Sequence, residues 1–420
     1  MDTSTIYLIA LLIGLLFIIV LYALLSIPHR TVTVGRYLVL DSEHLCSTLP
    51  ICFFQNVESP YSSILFGQPN LDPENYVGPN RDKIADALLG AAPLQYNEAI
   101  VVYGMSPNCG YWSFIPYLFR RSPSSPALFA SLSDGVNNYM LPANFHNSTG
   151  GQYPFVVIAT RNRAVYDREL EFVLKTLPAG QTVIPIFFPD VVDDITSVAL
   201  VGRATLFADQ ETLRKYIDNS GIVAYKVSYT DVPFVPVPVS IPLQNLQPNG
   251  IKLRTLPVYP SEESIAGEFQ DYVRATIANY TIISNIPMFR FLQDVLGIPY
   301  NNGYQCLENS ILCYGDNRQS YYSQTDIFDV EAGRRILIVA VNHSAYGRGI
   351  YSQVSIYDSV RQYGLSSLSK LPSDPLFYYF LWDVEQTGKY VLAERSYVQM
   401  PAAVGPDANT ILPAFAYIVE

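Results

Sequence analysis

Charge and cysteine are what this 420-residue chain has little of: 15% of its residues are charged, only 26 are Lys or Arg, and there are five Cys, four His and two Trp. With a net charge of −11 and no basic run, the composition excludes a nucleic-acid partner, because neutralising phosphates takes clustered Lys and Arg. The histidines, His29, His44, His146 and His343, are scattered, and no two cysteines stand in a C-x-x-C spacing, so no zinc pattern forms. HExxH and a Gly-rich phosphate loop are missing as well. No cofactor and no metal are therefore expected. At 49% hydrophobic residues the chain is not of disordered composition and can fill a substantial core.

The first long apolar stretch that is present runs from Ile6 to Ile27 without a charge or a proline. As a helix it is about 33 Å long, enough for a hydrocarbon core of about 30 Å. It lacks the basic n-region and small-residue cleavage site of a removable leader. The expectation is a retained signal-anchor, a lipid-bilayer partner and a single-pass membrane localisation. The nearest charges, Arg30 and Arg36, follow the run and taken alone favour a cytoplasmic domain.

The cysteines point the other way. Cys46 with Cys52, and Cys306 with Cys313, are close in sequence, which suits two local disulfides in an oxidising compartment; reduced thiols and a metal site are the alternatives, and Cys109 is left over. Thirty-two Tyr and thirty Pro lean towards an exported protein too. N-x-S/T glycosylation sequons at Asn147, Asn279 and Asn342 occur at about chance frequency and add little. The cysteines are given the greater weight, which places the domain after the anchor outside the cytosol.

Short apolar runs at Ala99–Tyr103, Phe155–Ala159, Val183–Phe188, Ser197–Leu206 and Ile222–Tyr229 predict strands, interleaved with helices whose apolar faces include Tyr166, Leu170, Val173, Leu174 and Leu177, and with a helix at Gln210–Ile217. Thr31–Val34 and Tyr37–Leu40 suggest a further pair of strands. This alternation predicts an α/β (or α+β) fold, a mixed-sheet ectodomain of two lobes behind an N-terminal transmembrane helix. The divisions are a tail at 1–5, the signal-anchor at 6–27, a first lobe at 31–231, a Pro-rich connector at 232–260 and a second lobe with a local disulfide at 261–420. In the second lobe Ser261 is a helix N-cap followed by Glu262 and Glu263, and strands are expected at Ile336–Val341, Phe377–Trp382, Tyr390–Ala393 and Ala414–Val419. One echo links the lobes. Ile100–Ser106 leads to Trp112-Ser113 as Ile338–Ser344 leads to Tyr351-Ser352, by duplication or by coincidence of two strand exits.

Chemistry is thinly signposted. Cys109, at a strand exit, is a weak candidate nucleophile with His146 or His343 as base; Asp134, in Ser131-Leu132-Ser133-Asp134-Gly135, resembles an esterase block but has Gly135 where the serine belongs. Asp190, Asp193 and Asp194, and Asp326, Asp329 and Glu331, are acidic clusters that solvated turns explain, although glycoside hydrolysis or a divalent ion would also use carboxylates.

Several ordered motifs resemble a group of uncharacterised exported or membrane-anchored proteins from microbes and large DNA viruses. They are Gly303-Tyr304-Gln305-Cys306 to Cys313-Tyr314-Gly315-Asp316-Asn317-Arg318, Val339–Gly347, Tyr351-Ser352, Asp374–Tyr378, Val404–Asp407, Met105-Ser106-Pro107 through Tyr111–Phe114, and Ala130–Asp134. The resemblance implies a shared fold and a Cys306–Cys313 bridge, and no activity. The leading expectation is a non-enzymatic surface or virion-envelope protein that binds a protein or glycan through Tyr-rich surface. The alternative is a membrane-tethered hydrolase of glycans or esters, which requires Cys109, Asp134, Asn342 and His343 to converge in one cleft.

Overall fold

The computed structural model describes residues 30–40, 59–67, 87–132, 135–142, 145, 152–178, 180–189, 191–237, 261–290, 303–313, 315, 317, 319–398, 400 and 405–420. The first lobe contains β1 (Arg30–Val39), β2 (Tyr61–Leu65), β3 (Ala92–Pro93), β4 (Glu98–Met105), β5 (Cys109–Arg120), β6 (Ala130–Ser131), β7 (Val136–Asn137), β8 (Pro154–Thr160), α1 (Arg163–Thr176), β9 (Thr182–Phe187), β10 (Ser197–Phe207), α2 (Gln210–Asp218) and β11 (Val223–Tyr229). The second contains α2's successor α3 (Ala266–Ile277), then β12 (Ile282–Ile286), β13 (Met288–Phe289), α4 (Gly303–Asn309), β14 (Ser320–Thr325), β15 (Phe328–Val330), β16 (Arg335–Val341), β17 (Tyr351–Asp358), β18 (Tyr363–Lys370), β19 (Phe377–Asp383), β20 (Gly388–Tyr397) and β21 (Phe415–Val419). The apolar runs therefore form strands near where the sequence places them, except that Thr31–Val34 and Tyr37–Leu40 belong to the single strand β1.

Strand pairing shows one topology used twice. In the first lobe one layer runs β1-β11-β4-β8, with β9 as an added edge strand on β8, and the other β1-β2-β10-β5, with β6 and β7 on the outer edge of β5. β1 serves both layers, pairing with β11 over Arg30–Gly35 and with β2 over Arg36–Val39. In the second lobe the layers are β12-β21-β16-β19 and β13-β14-β20-β17-β18, and Pro287 separates β12 from β13 where β1 passes from one layer to the other. Even the short strands correspond, since β3 pairs with β10 and β15 with β20. Two antiparallel layers connected in this order form a jelly roll, here in tandem. The echo between the lobes is thus a structural repeat: β4 to β5 and β16 to β17 are the same crossing between layers. The cysteine pairs obey it too, for Cys46 and Cys52 fall between β1 and β2 in sequence, and Cys306 and Cys313 between β13 and β14.

The α/β expectation is corrected by these ladders, which among the described strands are antiparallel apart from β8 with β9. A strand–helix–strand order does not by itself make a parallel unit. α1 does cross between parallel strands, whereas α2 joins β10 to β11, which lie in different layers. Period-two alternation, the usual mark of an antiparallel sheet, is hidden because all twelve residues of β5 are buried; one face meets the first core, and on the other Tyr111 meets Tyr351 and Tyr397 of the second lobe while Ile115, Tyr117 and Phe119 pack with Leu40, Leu89 and Phe129.

The transmembrane expectation, and the single-pass membrane localisation with its bilayer partner, is corrected as well: no helix among the described residues is long and apolar enough to cross a membrane. The run Ile6–Ile27 lies outside the described residues. Arg30, one of the two charges used to orient it, is built into the fold: its Nε and Nη2 donate to Glu169 at 3.0 and 2.8 Å, and its guanidinium lies 3.7 Å from the Phe172 ring centroid. Glu169 therefore occupies the buried face of α1 beside Val165, Tyr166 and Val173, and Leu174, predicted to face inward, is 65% exposed.

Cys306 and Cys313 form a disulfide with their Cα atoms 5.7 Å apart. The bridged segment leaves its own lobe and closes the core of the first, where Cys306, Leu307 and Cys313 are buried with Leu128 and Ala130. Cys313 N donates to Leu128 O at 2.7 Å, Gly315 N to Phe129 O at 2.8 Å, and Arg121 Nη2 to Leu307 O at 2.6 Å. Gly315 is at φ +71°, and a Cβ there would stand 2.6 Å from the Phe129 ring, so both conformation and contact call for glycine.

Candidate functional site

Of the residues proposed for catalysis, Cys109 and His343 are placed apart. Cys109 starts β5, buried in the first core, and its thiol donates to Tyr111 O at 3.1 Å. Burial pushes that thiol up to about 12, so it is not a thiolate at neutral pH. Iodoacetamide is accordingly expected to leave Cys109 unmodified in the folded protein and to alkylate it after denaturation, as peptide mass mapping would read. His343 sits in the second lobe between two carboxylates, with Nδ1 2.8 Å from Glu262 Oε1 and Nε2 3.1 Å from Glu394 Oε1, all three side chains fully buried. Asn342 is buried too: its amide donates to Leu371 O at 2.9 Å and its Oδ1 accepts from Ser344 Oγ at 2.6 Å. Of the other sequons, Asn279 is exposed just after α3, and Asn147 lies outside the described residues. Asp134, His146, Cys46 and Cys52 lie outside them as well.

In the acidic clusters Asp193 and Asp329 belong to local structure, and Asp190 lies outside the described residues. Asp193 Oδ1 accepts from Ile195 N, Thr196 N and Thr196 Oγ1 at 3.1, 2.9 and 2.6 Å, which fixes its own turn. Asp329 pairs with Lys389 at 2.9 Å. Among the described residues no three His, Cys, Asp or Glu side chains gather as a metal site would need.

A surface constellation that sequence reasoning missed lies at one end of the first lobe. Four segments meet there: the turn before β4, the exits of β8 and β11, and the loop between β9 and β10. Tyr96 and Phe234 stand edge to face, ring centroids 6.2 Å apart at 85°. Both remain open to solvent, at 42% and 50%, and Ile195 and Val235 extend the apolar surface at 56% and 40%. Arg161 packs beside the Phe234 ring. Its guanidinium is 5.7 Å from the Phe234 centroid, Nη1 donates to Val192 O at 2.6 Å, and Nη2 pairs with Asp194. Asp194 in turn accepts from Tyr96 N at 3.3 Å, and its carbonyl accepts from Gln95 Nε2 at 2.9 Å.

The segment that carries Phe234 is anchored rather than loose. Asn162 Oδ1 caps α1 through Ala164 N at 3.0 Å and also accepts from Val235 N at 3.0 Å, while its amide donates to Pro233 O at 3.0 Å. Pro233 and Pro236 stiffen the backbone on either side. The result is a preorganised platform of aromatic and apolar faces with a half-exposed carboxylate at its rim. The available sequence signals were an aromatic in a turn, Gln95-Tyr96-Asn97, and another between prolines. Among the described residues the corresponding end of the second lobe has no such pair; there Arg334 approaches Glu420 at 3.7 Å.

No family model matches the chain, and no curated protein matches it. Among solved structures, the tandem CBM22-1–CBM22-2 domain of Xyn10C from Paenibacillus barcinonensis aligns at 9% identity with a TM-score of 0.14, covering 92% of each chain. The tandem CBM51 modules of Sp3GH98, a family 98 glycoside hydrolase from Streptococcus pneumoniae, align at 8% identity with a TM-score of 0.17, covering 78% of this chain and 79% of that one. An 11S globulin from Wrightia tinctoria aligns at 10% identity with a TM-score of 0.11, covering 82% and 81%. Scores this low carry no weight for fold or function; the tandem jelly roll rests on its strand pairings.

Proposed function

We propose that the protein is a non-enzymatic recognition module that binds a glycan on the Tyr96–Phe234 platform. The observation that carries this reading is the pair of half-exposed rings held rigid by Arg161, Asp194 and Asn162. Sugar rings present C–H faces that lie on aromatic surfaces, and the Asp194 carboxylate, 51% exposed, is placed to accept from ring hydroxyls. Rigid aromatic contact loses little conformational freedom on binding. A glycan array probed with the full chain tests the reading. Tyr96→Ala and Phe234→Ala are each expected to weaken the strongest glycan hit about tenfold, with the unfolding midpoint unchanged because both side chains are half in water. An array without hits, or hits that both variants retain at full strength, would reject it. The hydrolase alternative loses its residues, since Cys109 and His343 are enclosed in different lobes with different partners.

A second reading, a shell-forming structural subunit, is favoured by the strand-for-strand repetition of the jelly roll. Jelly rolls build viral coats as well as lectins, so this rests on analogy between folds. Electron microscopy of the purified protein tests it: ordered oligomers or shells support it, and monodisperse monomers at high concentration count against it.

A further inference from the structure

The β2-β10-β5 layer of the first lobe and the β14-β20-β17 layer of the second turn their outer faces towards each other, and repeat-related residues meet there. Arg203 on β10 is opposite Tyr61 on β2, and Arg395 on β20 is opposite Tyr322 on β14, at the same place in the two ladders. By the same register Tyr111 corresponds to Tyr351. Arg203 Nη1 donates to Tyr322 OH at 3.1 Å, across the seam, and Nη2 donates to Tyr61 OH. Arg395 donates to Tyr357 OH at 2.6 Å, Ser355 Oγ at 3.3 Å and Gln353 Oε1 at 3.4 Å, and stands 5.5 Å from the Tyr322 ring centroid.

Both guanidinium groups belong to residues only 5% exposed, and every partner just named is uncharged. Among the described residues neither arginine makes an ion pair with a carboxylate. The tyrosines do not supply the missing charge either, because burial pushes the hydroxyls of Tyr61, Tyr111 and Tyr351 up and keeps them neutral. The Nε of Arg203, the Nε of Arg395 and the hydroxyl of Tyr351 are buried without a hydrogen-bond partner among the described residues. Tyr351 stacks on Tyr397 at 4.9 Å, Arg203 lies 5.2 Å from the Tyr397 centroid, and Arg203 and Arg395 both meet Tyr322, whose hydroxyl is 3.1 Å from that of Tyr397, so the three residues surround the Tyr322–Tyr397 pair. Two like charges buried together without a counter-charge are costly, and an anion removes the cost while using the free donors.

The geometry points to a binding site for a small inorganic anion between the lobes, held by the Nε groups of Arg203 and Arg395 with the Tyr351 hydroxyl as a third donor. Such an anion ties the two jelly rolls together through their equivalent arginines. Halide and tetrahedral oxyanion share this chemistry, and sodium bromide and inorganic phosphate separate them.

Crystals of the full chain soaked in sodium bromide are expected to give an anomalous peak between the two guanidinium groups. In solution, the unfolding midpoint is expected to rise by about 2 °C per tenfold increase in free anion concentration, with sodium gluconate, a bulky organic anion, holding ionic strength constant. A rise with phosphate alone identifies an oxyanion site, and a rise with bromide a halide site. Arg395→Met is expected to abolish the response; Tyr351→Phe, which removes one hydroxyl, serves as the milder variant and is expected to weaken anion affinity severalfold. No peak in the seam of bromide-soaked crystals, together with a midpoint indifferent to which anion is present, overturns the site. The same anion response in Arg395→Met as in the parent protein overturns it as well.

Discussion

Replacing His343 by Leu is expected to destabilise the protein by about 3–5 kcal/mol, the range for removing one member of a buried charged cluster. The imidazole lies between Glu262 Oε1 at 2.8 Å and Glu394 Oε1 at 3.1 Å, and, against the effect of burial, the charges of these two carboxylates raise its pKa to about 10 and favour the imidazolium, which can donate from both nitrogens. Around it the carboxylates are further bonded: Glu262 Oε2 accepts from Leu412 N at 2.8 Å, and Glu394 Oε2 accepts from Ser323 Oγ at 2.7 Å and Ala414 N at 3.1 Å. One side chain thereby holds the start of the α3 region, the β16–β17 turn, β14, β20 and the approach to β21. Leucine leaves two buried carboxylates facing each other with no cation between them.

The same site sets a pH dependence. Burial alone lowers the pKa of His343, but the charges and hydrogen bonds of Glu262 and Glu394 outweigh it and raise the folded value from 6.5 to about 10. A raised folded pKa means that the protonated ring favours folding. Its contribution is complete below pH 6.5 and is lost as pH rises through about 10. Urea unfolding of the parent protein across that window is expected to show falling stability, and His343→Leu is expected to lose that part of the slope. An equal decline in both proteins would show that another group is responsible.

His343 also shows how far the sequence could be read. Its identity and its place after a strand were visible, and both suited a catalytic base. Its partners were not, because Glu262 is 81 residues away and Glu394 is 51. Strand positions were legible from local apolar runs such as Phe155–Ala159, since burial of a whole strand leaves a continuous signature. Which strands pair was not legible. β1 takes its partners from both layers, and β2 pairs with β10 across more than a hundred residues. The duplication was half legible: the exits of β4 and β16 look alike, yet the ladders align Tyr111, not Trp112, with Tyr351. The Tyr96–Phe234 platform was not legible because its two rings are 138 positions apart and each alone is an ordinary surface aromatic.

Arg30→Met is expected to cost about 3 kcal/mol, somewhat less than the His343 variant because Arg30 is 20% exposed and partly screened. Glu169 is fully buried on α1 and accepts four hydrogen bonds: two from Arg30, and one each from Tyr225 OH and Tyr229 OH, both at 2.6 Å. Methionine keeps the contact with the Phe172 ring but removes the only positive charge that reaches the carboxylate among the described residues. Arg30→Lys, which retains charge without the two-pronged geometry, is expected to fall between the two. The decisive comparison is the double variant Arg30→Met with Glu169→Leu. If the loss arises from an uncompensated buried carboxylate, removing that carboxylate recovers most of it; if it arises from packing of β1 against α1, the two losses add. Recovery in urea unfolding would establish that Arg30, read from sequence as a flanking charge, is the counter-ion that lets α1 dock on β1 and β11.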